Sequence, residues 1–237
     1  MLPPHVARRR SRLRFALLLA FVVPPTQVLA VRFVDPPLTL TMVQRVVEAG
    51  LDNGQWRWVD HRPTPLGDLG PHLPRAAVAS EDALFWHHHG FDVGAICTAV
   101  RANEKGKGTR GASTISQQVA KNVFLWQHRD WVRKGLEVIY TAWLELLVPK
   151  ERILELYLQV AETGPMTFGA EAGAFRAFGK PAHALDADEA RRLVGILPAP
   201  RTWTVHSAGN RRPEPVPFPA DKGFRELGAF AGWDRCW

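Results

Sequence analysis

Cysteine is nearly absent from this chain of 237 residues. Only Cys97 and Cys236 carry a thiol, far apart, so the sequence implies no disulfide framework and offers no cysteine spacing suited to a metal. Acidic residues are missing from the first 34 positions; the first is Asp35. No run alternates apolar and polar residues over a strand length, which argues against a β sandwich or barrel. No segment repeats, which argues against a solenoid.

What is present is 46% hydrophobic and 22% charged, enough for one sizeable core. The formal charge is +7, from 30 basic and 23 acidic residues. Five of the basic residues, Arg8, Arg9, Arg10, Arg12 and Arg14, crowd the extreme N-terminus; without those 5 the balance is 25 against 23. A folded body so nearly neutral lacks the basic face that nucleic-acid binding needs, and no nucleic-acid partner is expected.

Directly after the arginines, Phe15 to Val31 runs without a charge, which as a helix spans about 25 Å. Residues 1–14 read as a cytoplasmic basic tail and 15–34 as a single-pass anchor of the inner membrane. The arginines hold their end in the cytoplasm and place the remainder in the periplasm. Pro24 and Pro25 weaken that helix, and Val28-Leu29-Ala30 also fits a signal-peptidase site, so a cleaved leader is the alternative. The body is exported on either reading.

Residues 35–74 are punctuated by proline and glycine and read as a juxtamembrane connector with one short helix near Leu40 to Glu48. Helical periodicity then predicts helices at Arg75–Phe85, Val93–Asn103, Thr114–Leu125, Trp131–Val148, Ile153–Val160, Ala170–Phe178 and Ala187–Leu197. The fold class is therefore mainly α, with the compact domain at 75–203 and an irregular tail at 204–237.

The segment Gly111-Ala-Ser-Thr-Ile-Ser-Gln-Gln-Val-Ala-Lys-Asn122 is the most informative. Thr114, Gln118 and Lys121 share one helical face, while Ile115, Val119 and Val123 form an apolar stripe beside it. Thr114 with Gln117 fits a capping box. The bland alternative is a solvated amphipathic helix.

Two carboxylates have chemical potential. Glu81 and Asp82 end an apolar helix, a setting suited to general acid or base work. Glu137 follows Arg133 by four residues and Lys134 by three, a spacing equally suited to a surface ion pair. With Lys121 and Arg129 upstream, the cations could hold a diphosphate. The histidines His87, His88 and His89 cannot all reach one ion from regular structure, so a zinc site there is not expected. Separated carboxylates, clustered cations and a membrane tether suit glycosyl transfer from a lipid-linked sugar diphosphate.

Five motifs in order carry a resemblance. They are Glu81-Asp82-x-x-Phe85-x-x-His88-x-Gly90-x-Asp92; Gly111-x-Ser113-Thr114-Ile115-x-Gln117-Gln118-x-x-Lys121-Asn122; Arg133-Lys134-x-x-Glu137; Arg152-Ile153-Leu154-Glu155-x-Tyr157-Leu158 with Gly164, Gly169 and Phe178-Gly179-Lys180; and Leu197-Pro198-x-Pro200. Over residues 35 to 203 the chain resembles the monofunctional biosynthetic peptidoglycan transglycosylases, relatives of the glycosyltransferase domain of class A penicillin-binding proteins. The resemblance implies a lysozyme-like helical fold with a small membrane-facing jaw, and polymerisation of lipid II into β-1,4-linked glycan with inversion and release of undecaprenyl diphosphate. It implies Glu81 as general base, Glu137 as second essential carboxylate, and Lys121, Arg129 and Arg133 as donor-phosphate ligands, helped by a divalent cation, magnesium or manganese. Asp82, Phe85, His88, Ser113, Thr114 and Gln118 match residues that shape the cleft. The partners it implies are lipid II, the growing glycan strand, the inner membrane and the proteins of cell division or wall synthesis. Ser116, Gln159 and Ala177 depart from the usual threonine, asparagine and tyrosine. No transpeptidase domain follows, so crosslinking is not expected of this chain. A peptidoglycan-cleaving muramidase or lytic transglycosylase and an inactive scaffold of the wall complex are the alternatives.

Overall fold

A computed structural model of the chain describes residues 21–104, 112–128, 130–207 and 218–219. Residues 21–33 are helical (α1), followed by α2 (Leu40–Asn53), α3 (His72–Glu81), α4 (Val93–Glu104), α5 (Ile115–Phe124), α6 (Trp131–Leu147), α7 (Lys150–Val160), α8 (Ala170–Phe178) and α9 (Ala187–Gly195). The mainly helical class expected from periodicity is what folds. Among the described residues no helix is long and apolar enough to cross a membrane. The first six residues of the expected anchor lie outside the described set.

Helix α5 lies at the centre, packed on both α6 and α7, while α3 packs on α9. Its predicted stripe of Ile115, Val119 and Val123 is buried. Thr114 caps it as the sequence suggests: the side chain accepts from the Gln117 N–H, and the Gln117 side chain accepts from the Thr114 N–H. Such a cap contributes about 1 kcal/mol. Helix α6 opens on Asp130, whose side chain accepts from the Arg133 N–H at 2.7 Å.

Several expectations are corrected. Helix α3 starts earlier and stops at Glu81, not at Phe85. Pro74 fits inside its first turn, where backbone N–H groups have no partner in the helix. Phe85–His87 forms a separate 3₁₀ turn. Pro24 and Pro25 do not break α1, which runs through them, and the Thr26 hydroxyl donates to the Val22 and Val23 carbonyls. Of the apolar positions that periodicity marks on α6, namely Val132, Leu136, Ile139, Tyr140, Trp143 and Leu147, Tyr140 is buried and Leu136, Trp143 and Leu147 pack against the core, whereas Val132 is 71% exposed and Ile139 is exposed; Arg133, Glu137, Thr141 and Leu144 complete the buried face. The segment read as a connector joins the core, with Met42 and Leu69 buried and α2 packed on α5. Cys97 is disulfide-bonded, which the cysteine count does not suggest; the other cysteine, Cys236, lies outside the described residues.

A small sheet of order β1-β3-β2 is the element that periodicity does not announce. Its strands β1 (Asp60–His61), β2 (Glu162–Gly164) and β3 (Thr167–Phe168) are too short to give a period-two signal. β1 pairs with β3 in parallel and β2 with β3 antiparallel. Of the expected tail, residues 204–207 form turns, and Phe218 meets Trp86 edge-on at 4.9 Å and Arg75 at 5.3 Å.

Candidate active site

The C-terminus of α3 delivers Glu81 and Asp82 in opposite directions, because the backbone leaves helical geometry at Asp82. Glu81 turns toward α5, where Gln118 Nε2 donates to its Oε2 at 3.0 Å. Asp82 turns inward and is buried. One of its oxygens accepts the N–H of Ile115, the first residue of α5, at 2.9 Å, a position where the helix dipole favours an anion. Both oxygens face His88 Nε2, at 2.9 and 3.0 Å. The Gly90 N–H donates to His88 Nδ1, so that nitrogen is the acceptor and Nε2 carries the proton toward Asp82.

Asp82 and His88 are thus a brace behind Glu81. Phe85 joins them as a core residue, with the Lys150 ammonium 4.4 Å from its ring centre. Burial pulls the Lys150 pKa down, against the pull of Glu145, which it meets at 2.8 Å. Tyr157 is buried beside both carboxylates, and desolvation, reinforced by Glu81 and Asp82, pushes its phenol well above the ordinary value. Asp82, Phe85 and His88 do not line the cavity described next; they are buried behind Glu81, where they support the end of α3.

Gly90 is a glycine by necessity. Its φ is +84°, and a Cβ there would come within 2.7 Å of Thr141 Cγ2. The Thr114 hydroxyl donates to the Gly90 carbonyl at 2.7 Å. Thr114 is therefore occupied by its cap and by Gly90, and it does not share the open polar face expected of it.

That face belongs to Gln118 and Lys121. With Ser113 and Gln117 they form one wall of a cavity of about 290 Å³, and Arg133, Lys134 and Glu137 of α6 form the other. Arg133 NH1 donates to Glu137 Oε2 at 2.7 Å, and Lys134 Nζ bonds the other carboxylate oxygen. Arg133 Nε donates to the His128 carbonyl at 2.8 Å. The pair is buried, with Arg133 8% and Glu137 3% exposed, so the surface ion pair the spacing allowed is not what forms. Lys134 and Gln127 also line the cavity. Lys134 stands inside one of the five motifs, whereas nothing in the sequence marks Gln127. Arg129 lies outside the described residues.

Three cations and one carboxylate among the lining side chains leave a positive cavity, suited to a polyanion such as a diphosphate. The lining does not suit a divalent cation held by protein ligands alone, because Glu137 is already bonded to two cations. Among the described residues no three His, Cys, Asp or Glu side chains gather as a metal site.

The family model described as Transglycosylase matches residues 49–214. A biosynthetic peptidoglycan transglycosylase of Xanthomonas campestris pv. campestris (strain B100) is 48% identical over 208 residues, covering 87% of this chain and 85% of that protein. The protein of the same name from Xylella fastidiosa (strain M12) is 47% identical over 199 residues, covering 84% and 82%. That of Xanthomonas oryzae pv. oryzae (strain KACC10331 / KXO85) is 49% identical over 206 residues, covering 85% and 84%. With residues of its second and third motifs lining one cationic cavity beside Glu81, the chain belongs to the transglycosylase family, among the biosynthetic peptidoglycan transglycosylases.

Proposed function

We propose that the protein is a peptidoglycan glycosyltransferase that polymerises lipid II into β-1,4-linked glycan, with the lipid diphosphate as leaving group. The observation that carries this reading is the cation-rich cavity set next to a carboxylate held by Gln118. A hydrolase of the polymer would need a proton donor at the leaving sugar oxygen and gain nothing from Lys121, Arg133 and Lys134 together.

In this reading Glu81 removes the proton from the acceptor hydroxyl as that oxygen attacks the anomeric carbon of the donor. The new C–O bond forms while the bond to the diphosphate oxygen breaks, and the leaving group keeps the electron pair. Gln118 fixes the Glu81 carboxylate in one orientation, so the base is placed before the acceptor arrives. Lys121 and Arg133 neutralise the charge that builds on the diphosphate. Glu137 holds Arg133 and Lys134 in the wall. A divalent cation, magnesium or manganese, would add positive charge at the diphosphate; proton removal and charge neutralisation fall to the chain's own groups.

A lysozyme-like arrangement with a small jaw, and a single-pass anchor that places the catalytic domain on the periplasmic face of the inner membrane, complete the reading. The charge-free stretch from Phe15 to Val31 after five arginines supports the anchor, and a lipid-linked donor makes it useful. Wall-synthesis proteins are its expected neighbours. Incubating the purified full chain with lipid II tests the function. A ladder of glycan products is expected. Release of fragments from intact sacculi without such a ladder would overturn the reading in favour of cleavage.

A further inference from the structure

A second cavity, of about 490 Å³, opens beside the small sheet and shares no lining residue with the cleft. Its floor is β1 and β3, held in register by the pairing of Asp60 with Thr167 and by the Asp60 N–H donating to the Met166 carbonyl at 2.8 Å. Met166 has a φ of 57°, the one positive value outside glycine among the described residues, so the β2–β3 turn holds some strain to keep this shape.

Three arginines, Arg57, Arg62 and Arg176, line the cavity with a single acid, Asp60. Arg62 is the neutralised one: its Nε bonds Asp60 Oδ1 at 3.1 Å while its guanidinium lies 4.6 Å from the centre of the Phe175 ring. Arg176 lies flat across Gly164, where a Cβ would meet its Nε at 2.9 Å, and its NH1 reaches Thr167 Oγ1 at 3.4 Å. Among the described residues neither Arg57 nor Arg176 makes an ion pair. Two uncompensated cations therefore share one concavity with the Trp58 ring, which is 79% exposed.

This combination selects a ligand. Paired guanidiniums fit a carboxylate or a phosphate through two parallel hydrogen bonds. An exposed indole face suits the flat apolar side of a sugar ring or an aliphatic side chain. The volume is that of a small-ligand site. Taking the function proposed above, the product strand has left its diphosphate behind but keeps its peptides, and a peptide ends in a carboxylate. We propose that this cavity binds the peptide of the glycan through Arg57 and Arg176 with the attached sugar against Trp58, a holding site for the strand apart from the reaction. This inference rests on the glycosyltransferase reading.

The test is calorimetric titration of the full chain carrying Glu81→Gln with a soluble disaccharide bearing a short peptide, free of lipid and diphosphate. Saturable one-to-one binding is expected, weakened about tenfold or more by R57A/R176A and equally by amidation of the peptide carboxylates. Absence of saturable binding, or binding indifferent to both changes, would overturn the proposal. A parallel arm uses vesicles of phosphatidylglycerol. If R57A/R176A abolishes vesicle binding while the disaccharide-peptide does not bind, the cavity takes a lipid phosphate and the proposal fails. Coupling of lipid II by R57A/R176A in an otherwise wild-type chain should stay within about twofold, since these side chains lie outside the cleft. A loss as deep as that of E81Q would place them in the reaction and overturn a separate holding site. Failure of the wild type to couple lipid II at all would sink the functional reading, while the titration would still report whether the cavity binds.

Discussion

Gln118 Nε2 donates to Glu81 Oε2 at 3.0 Å, tying the centre of α5 to the last residue of α3 across 37 positions of sequence. The bond helps fix the direction of a carboxylate at a helix end. It also makes the orientation of Glu81 depend on the docking of α5, which Asp82 secures from the other side through the Ile115 N–H.

Replacing Glu81 with glutamine should therefore cost about 10³-fold in the rate of glycan formation, the scale of a lost general base, with little change in melting temperature. Q118A leaves the base present but loosely aimed and should cost roughly tenfold in kcat. Rates from lipid II with the two variants side by side check this. A Q118A loss as deep as E81Q would mean that Gln118 contacts the reacting atoms.

The Arg133–Glu137 pair is buried, and E137A strands Arg133 with only the His128 carbonyl as partner, so a loss of about 3–5 kcal/mol is expected, far beyond the few tenths of an exposed helix pair. R133A leaves Glu137 paired with Lys134 and should cost less, about 1–3 kcal/mol. Lys134 is 41% exposed at its side chain, and K134A should cost under about 1 kcal/mol in stability while still lowering the rate. Urea unfolding monitored by circular dichroism, paired with rate measurements, separates the two effects.

T114A removes the N-cap of α5 and the bond to the Gly90 carbonyl together and should cost about 1–2 kcal/mol; T114S should restore most of it. G90A meets both a left-handed backbone and a Thr141 methyl 2.7 Å away, and a loss of roughly 1–3 kcal/mol is expected. Thermal melts of the three variants give the order: T114S above T114A, and G90A below wild type.

Asp130 caps α6, and its pKa is held below the ordinary 3.8 chiefly by the Arg133 N–H and then by the Trp126 indole N–H. A lowered folded-state value means that its contribution is fully present above pH 3.8 and is lost as pH falls through the lower folded value. The Trp126 indole proton resonance should therefore shift as the solution is acidified below pH 3.8. D130N keeps an acceptor at the cap and should remove that titration; an unchanged shift in D130N would assign it to another group.

Much of α5 and of the start of α6 is legible in the sequence, because caps and i, i+4 spacing are local. The capping box of Thr114 and Gln117, the stripe of Ile115, Val119 and Val123, and the adjacency of Arg133 to Glu137 all follow from residues within one or two turns. The small sheet is not legible, since two-residue strands carry no periodicity. Nor is the second cavity: Trp58 and Arg176 are neighbours only because β1 pairs with β3 and α8 follows. On α6 a reading by hydrophobicity finds Tyr140, Leu136, Trp143 and Leu147 but also picks the exposed Val132 and Ile139, and it misses Arg133 and Glu137, which are buried against the polar wall of α5.

The sequence by itself determined a mainly helical chain and its family, because helix signals are local and the motif residues stand at fixed spacings. Tertiary structure decided which motif residues line the cavity and which hold the frame. Thr114, Asp82 and His88, alike in being polar and in the motifs, are used up by hydrogen bonds inside the fold. Gln118, Lys121 and Arg133 are left at the cavity wall. That division depends on which backbone groups come within about 3 Å of each side chain, a matter of long-range packing that no local spacing encodes.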